Sequence, residues 1–338
     1  MDAPLPSRAG QHPETHKVTR NWRWLLKAAV SVGLLLVIFR SVPFSAIWSS
    51  LRQAHPWDVA AGLLLAGPIT VIGAIRLQLL LSSIGIPLPL GHVLRINLTS
   101  TFYSLVLPGF LSTGVLRWYR LNQAGSPAAH TFAVLLLSRL IETTIVLVSG
   151  LTFWLLEGMP GDERVMVPLF AALFLGLGAV YLIGFNRATA ERLRTSLTIG
   201  RTAWVWASVR EPLLAVVDAI RDLGHPLARR RVTVIGISLV GHLLGILLFL
   251  FFARGLDIAL SLPAAGYTRS MLLLAGMLPL SIGGFGVREG GMILLLAPYA
   301  VAPPQAVALA FLLLGRDLIG IGVGGWLELR SWLARKPQ

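Results

Sequence analysis

Apolar residues along this chain gather in long, nearly charge-free blocks, not in the short alternation of a strand or the one-sided stripe of a surface helix. Blocks at 24–39, 57–75, 132–156, 165–185, 232–253 and 306–328 predict six membrane-crossing helices. A hydrocarbon core of about 30 Å needs about 20 residues at 1.5 Å each, which most of these blocks supply. The first block is short, and Trp22 and Trp24 extend it into the headgroup layer. Two further apolar stretches are interrupted. Residues 93–116 contain Asn97, Pro108, Gly109 and Gly114; residues 270–301 contain Pro279, Gly283, Gly284, Gly286, Gly290 and Gly291 around Arg288-Glu289. Helix breakers at membrane depth free backbone groups that lipid cannot satisfy, so these stretches predict broken, re-entrant helices buried in protein or lining a wet cavity.

Composition agrees with a membrane solvent. The chain of 338 residues is 55% hydrophobic and 13% charged, where a soluble domain carries about 25% charged residues. Its net charge is +14, and all but three of the 29 cations are arginine. The arginines are scattered between apolar runs, which excludes a nucleic-acid-binding domain. No cysteine is present, so disulfides, thiolate nucleophiles and thiolate metal sites are excluded. No P-loop motif is present, and no cofactor is expected. After Phe39 comes Arg40-Ser41-Val42-Pro43 rather than a small-residue cleavage site, so the first block reads as an uncleaved anchor.

The distribution of charge predicts orientation. Arg8, Lys17, Arg20 and Arg23 place the N-terminus in the cytoplasm, with residues 1–21 read as a disordered tail. Nine arginines against four acids place the interfacial segment 187–231 inside, and Arg330, Arg335 and Lys336 place the basic tail 331–338 there too. The acidic loop 157–164 fits outside. These placements agree only if 93–116 enters and leaves from the cytoplasm and 270–301 from the other side. Loop 254–269 is the exception, because it sets Arg254 and Arg269 outside.

An internal repeat follows. Leu107-Pro108, eight residues and Arg117 match Leu278-Pro279, eight residues and Arg288. Leu135-Leu136-Leu137-Ser138-Arg139 echoes Leu312-Leu313-Leu314-Gly315-Arg316. The fold class is thus an all-α polytopic integral membrane protein. It has six full transmembrane helices and two broken re-entrant elements, arranged as an inverted repeat of 57–156 and 232–328 within a membrane domain of residues 22–330. Such repeats, meeting at discontinuous helices near the midplane, are the usual build of secondary transporters.

The run Leu278-Pro279-Leu280-Ser281-Ile282-Gly283-Gly284-Phe285-Gly286-Val287-Arg288-Glu289 resembles the signature of the lysylphosphatidylglycerol synthase transmembrane, or flippase-like, family. Leu107-Pro108-Gly109 through Arg117, then Ser138-Arg139 and Glu142, is similar to that family's other motif, with Val115 where the family usually has an acidic residue. The resemblance covers about residues 20–330. It implies the lipid-translocating part of bifunctional relatives without their soluble aminoacyltransferase domain. It also implies a substrate among phospholipids, polyprenyl-phosphate-linked sugars or hopanoids.

Residue chemistry narrows this to anionic lipid. Half-helix N-termini favour phosphate, and glycines at 283–291 admit a headgroup to the backbone. Arg117 and Arg288 offer planar guanidinium forks to phosphate oxygens. Arg139 and Glu142, three apart on one helical face, form a resting pair, and Arg316 with Asp317 is the second-half counterpart. The candidate substrate-binding set is therefore Arg288, Glu289, Gly283, Gly284, Gly286, Pro279, Arg117, Pro108, Gly109, Arg139, Glu142, Arg316 and Asp317. The competing reading is that these pairs only lock the halves together. Arg76, Arg95 and Arg120 read as cytoplasmic anchors and His242 as a packed, hydrogen-bonded residue. Ser208 to Glu211 reads as a capping box opening an interfacial helix.

Three function classes follow. The first is a translocase for an anionic phospholipid or polyprenyl-phosphate-linked lipid in the inner membrane. The second is a non-catalytic partner of a lipid- or glycan-modifying enzyme. The third is a membrane-embedded transferase, disfavoured because the outer loop 40–56 lacks acidic residues.

Overall fold

The structure is a computed structural model that describes residues 29–106, 112–123, 127–185, 218–219, 224–277 and 284–334. The tail 1–21, Trp22, Trp24, the Ser208–Glu211 capping box and residues Pro108, Gly109, Pro279 and Gly283 lie outside the described residues. Among the described residues every regular element is helical. In chain order these are α1 (Ala29–Ser41), α2 (Phe44–Gln53), α3 (Pro56–Ser82), α4 (Leu90–Val106), α5 (Ser112–Gln123) and α6 (Ala128–Leu156). There follow α7 (Glu163–Phe185), α8 (Gly224–Gly255), α9 (Leu262–Met277), α10 (Val287–Leu296), a 3₁₀ turn (Ala297–Tyr299) and α11 (Pro303–Ala334).

Five helices, α3, α6, α7, α8 and α11, are long and apolar enough to cross a membrane. The pair α1 and α2, bent by 79°, makes a sixth candidate. That bend corrects the expectation of a plain loop at 40–56. Pro43 disfavours helical backbone at Val42 and cannot donate to the helix, so α1 ends there and a new helix starts. On α2 Ile47 is fully buried, while Phe44 and Trp48 are exposed. Pro68 and Pro168 sit inside α3 and α7 without ending them.

The two interrupted stretches each form a pair of helices. The described part of α4 runs to Val106 and that of α9 to Met277. The helices then fold back. Arg120 of α5 donates to Thr99 Oγ1 of α4 at 2.8 Å, and a Cβ built on Gly291 of α10 would lie 3.2 Å from Leu272 of α9.

Packing crosses between the halves. Helices α3 and α8 run antiparallel along one another, with Val59, Gly62 and Ile72 against Gly255, Phe252 and Gly241. Hairpin helix α4 packs on α11, and hairpin helix α9 packs on α6. At one end of the bundle the His55 N–H reaches the Gly255 carbonyl at 2.7 Å and Gln305 reaches the Leu256 carbonyl at 3.2 Å. There too Ser261 donates to Glu157. At the other end Trp118 donates to the Ala128 carbonyl at 2.8 Å, Arg120 pairs with Glu328 at 3.0 Å and Arg230 donates to Ser82.

Candidate functional site

Charged side chains converge in the middle of this bundle from both halves. Arg139 and Glu142 stand three residues apart on α6, with Glu142 fifteenth of its 29 residues. Arg139 Nη1 lies 3.4 Å from Glu142 Oε2, and Arg76 Nη2 of α3 reaches the same oxygen at 3.4 Å. Arg117 of α5 is within electrostatic reach of Glu142, Arg76 and Arg139. Its Nε is buried and has no hydrogen-bond partner among the described residues. Three guanidiniums thus surround one carboxylate.

The second half is built alike. Asp317, fifteenth of 32 residues on α11, accepts Arg288 Nη1 at 3.1 Å and Arg316 Nη1 at 2.9 Å. Arg288 is the second residue of α10, which opens from a tight turn with φ of +82° at Gly284 and +83° at Gly286. Only glycine holds such backbone without steric cost. Glu289 closes this helix start. Its Oε2 accepts the Gly286 N–H at 2.7 Å, its Oε1 lies 3.5 Å from Arg288 Nε, and it is 1% exposed.

Several residues of the candidate set have other surroundings than the sequence suggests. The Gly286 N–H is taken by Glu289, and a Cβ there would lie 2.6 Å from Leu34 Cβ, so this glycine seats the turn against α1. Gly284 has nothing within 4 Å of its Cβ position and leaves its backbone open to approach. Arg76 is no surface anchor, because its side chain is 15% exposed and bound to Glu142. Arg120 is tied to Thr99 and Glu328. Arg95 stays exposed. The signal that could have found Arg76 is its place within the apolar block of α3, which continues to Ser82.

His242 is packed and hydrogen-bonded as expected, with Nε2 at 2.7 Å from Ser149 Oγ. Its Nδ1 lies 3.3 Å from Nη1 of Arg269. Arg269 is the eighth of 16 residues of α9 and not part of an outer loop, which removes one of the two exceptions to the charge rule. It interacts electrostatically with Arg316 of one cluster and Glu142 of the other.

Residues 24–325 match the family described as lysylphosphatidylglycerol synthase TM region. The chain belongs to this family. No curated protein matches the chain significantly. As a multi-pass membrane domain of the lysylphosphatidylglycerol synthase family, it therefore has a lipid-related setting in which its central charges must be understood.

Among the described residues six guanidiniums (Arg76, Arg117, Arg139, Arg269, Arg288, Arg316) gather with three carboxylates (Glu142, Glu289, Asp317), an excess of three cations within that set. Glu142 and Asp317 lie at the midpoints of spans, yet their side chains are 42% and 41% exposed. Charge facing hydrocarbon at that depth costs at least about 2.5–3.5 kcal/mol, so such carboxylates need protein or water around them. A cationic surrounding suits an anion. Among the described residues no group of His, Asp and Glu could hold a metal ion.

Proposed function

We propose that this protein carries a lipid with a phosphate-bearing headgroup across the inner membrane by alternating access. The headgroup binds in the central crevice while the acyl or prenyl tails remain in lipid. The observation that carries this reading is that, among the described residues, six guanidiniums gather with three carboxylates around Glu142 and Asp317, the two acids at the midpoints of apolar spans. A purely structural network would balance its charges, because an uncompensated buried cation is costly. A phosphate diester or monoester supplies the missing charge and takes the bidentate hydrogen bonds that arginine offers.

In this reading the α4–α5 and α9–α10 pairs are re-entrant hairpins entering from opposite faces, and the halves form an inverted repeat. The crossed packing supports it, since α4 on α11 is the counterpart of α9 on α6. So does the sorting of ends. Trp118 and Arg120 in the last half of α5 reach Ala128 and Glu328, and Ser261, just ahead of α9, reaches Glu157. The paired Arg139–Glu142 and Arg316–Asp317 contacts are the substrate-free state. An entering phosphate competes with Glu142 and Asp317 for their arginines, which lets those arginines exchange one anionic partner for another. Both termini lie in the cytoplasm, and transport runs downhill, on a gradient, or with a partner.

The test is a vesicle assay with purified protein and fluorescent phosphatidylglycerol, reading the fraction of label protected from an outer-leaflet quencher. Wild-type protein should shorten equilibration at least ten-fold against empty vesicles, and Arg288→Ala and Asp317→Asn should remove most of that gain while folding normally. Equal rates in wild-type and empty vesicles, for phosphatidylglycerol and a polyprenyl phosphate alike, would overturn it.

A further inference from the structure

The Arg269–His242 pair belongs to none of the motifs that define the repeat. By the spacing that aligns Arg117 with Arg288, the first-half position equivalent to Arg269 is Leu98, so the repeat itself asks for no cation there. Yet the fold makes room for one. A Cβ at Gly245 of α8 would overlap the Arg269 guanidinium, so this glycine forms the slot in which it lies. Among the described residues no carboxylate is within ion-pair distance of it; its hydrogen-bond partner is His242 Nδ1 at 3.3 Å.

That partner is fixed in one protonation state. Ser149 donates its single hydroxyl proton to the Val146 carbonyl at 3.1 Å, so toward His242 Nε2, at 2.7 Å, it accepts. Arginine has only donors, so His242 Nδ1 presents a lone pair to Arg269, and the ring proton is on Nε2. This gives a neutral His242 that takes one N–H of Arg269 and leaves its remaining donors for something else. The charged groups facing the histidine are Arg269 from α9 and Glu142 from α6.

Resting on the translocation reading above, we infer that Arg269 is a direct ligand of the headgroup phosphate and that neutral His242 is the residue that positions it. The chemistry recognised is a phosphate ester oxygen. Arg269 interacts electrostatically with Arg316 of one cluster and Glu142 of the other, so a phosphate ester bound there is within the influence of both.

Binding is measured on the full chain in dodecyl maltoside, by the shift of its thermal unfolding midpoint with dihexanoyl phosphatidylglycerol, and separately with inorganic phosphate. Wild type should be stabilised by the lipid, and Arg269→Gln should weaken apparent lipid affinity at least ten-fold. Arg269→Lys, which keeps the charge if the glutamine variant does not fold, should weaken it several-fold. His242→Asn, which preserves an acceptor near the Nδ1 position, should bind close to wild type, and His242→Ala should weaken binding several-fold. Stabilisation by inorganic phosphate alone would make the ligand a free anion and overturn the headgroup assignment. Unchanged lipid affinity in both Arg269 variants, or no stabilisation of wild type by either probe, would overturn the site. The vesicle assay separates this from the broader reading. Lipid movement that survives Arg269→Gln leaves translocation standing and the site refuted, whereas Arg269-dependent binding without movement leaves the site standing and translocation refuted.

Discussion

At position 142 one carboxylate oxygen serves two guanidiniums, Arg76 and Arg139, with Arg117 close by. Replacing Glu142 by Gln removes the negative charge and leaves three cations to repel one another across a low-dielectric crevice. We expect a loss of about 1–3 kcal/mol, below that of a fully buried pair because Glu142 is partly exposed. Adding Arg76→Gln should restore part of this, since the double variant removes one of the unpaired cations. A double-mutant cycle by thermal unfolding in detergent checks it, and additive losses would mean the two residues are not coupled. At Asp317 the same logic applies to Arg288 and Arg316, but Glu289 remains beside Arg288, so Asp317→Asn should cost less stability than Glu142→Gln.

At the scale of helices, close approach decides where the hairpins dock. A Cβ on Gly324 of α11 would overlap the Leu98 carbonyl of α4, and one on Gly325 would lie 2.8 Å from the Phe102 ring. Backbone cannot move aside as a flexible side chain does, so Gly324→Ala should separate α4 from α11 and cost about 1–3 kcal/mol, as overpacking does. Gly320, one turn away, has nothing within 4 Å of its Cβ position. Gly320→Ala should be neutral or stabilise by up to about 1 kcal/mol through helix propensity. Thermal unfolding of the two variants side by side tests the contrast; equal effects would argue against close packing of α4 on α11. Because Arg120 ties α5 to both Thr99 and Glu328, separating α4 from α11 should also weaken the site around Arg117.

For the whole molecule, the sorting of connections to two ends predicts which residues each side of the membrane can reach. On the proposed orientation Ala259, in the connection after α8, lies at the outer end, and Arg330, near the close of α11, at the cytoplasmic end. The chain has no native cysteine, so single substitutions report cleanly. In intact cells, Ala259→Cys should react with a membrane-impermeant maleimide and Arg330→Cys only after permeabilisation. The reverse pattern would invert the orientation, and labelling of both in intact cells would refute an opposite-sided arrangement of these ends. The clasp of His55 with Asp257 at 3.1 Å joins the α2–α3 corner to that outer connection.

Five of the long apolar blocks marked candidate spans by themselves, because a helix bonds all its backbone groups within one segment. Each of these five reappears within a helix, as 132–156 does within Ala128–Leu156. The pairs Arg139–Glu142 and Arg316–Asp317 were legible too, since their partners are one or three residues apart on one helix. What spacing along the chain could not carry was contact between distant helices. Arg76 meets Glu142 across 66 residues and Arg269 meets His242 across 27, and neither separation has a period that marks it. The bend at Pro43, the spending of Gly286 on contact with α1 and the slot at Gly245 were likewise settled only when helices packed. Local rules act through the backbone of one segment; the charge balance of the crevice depends on which segments the fold brings together.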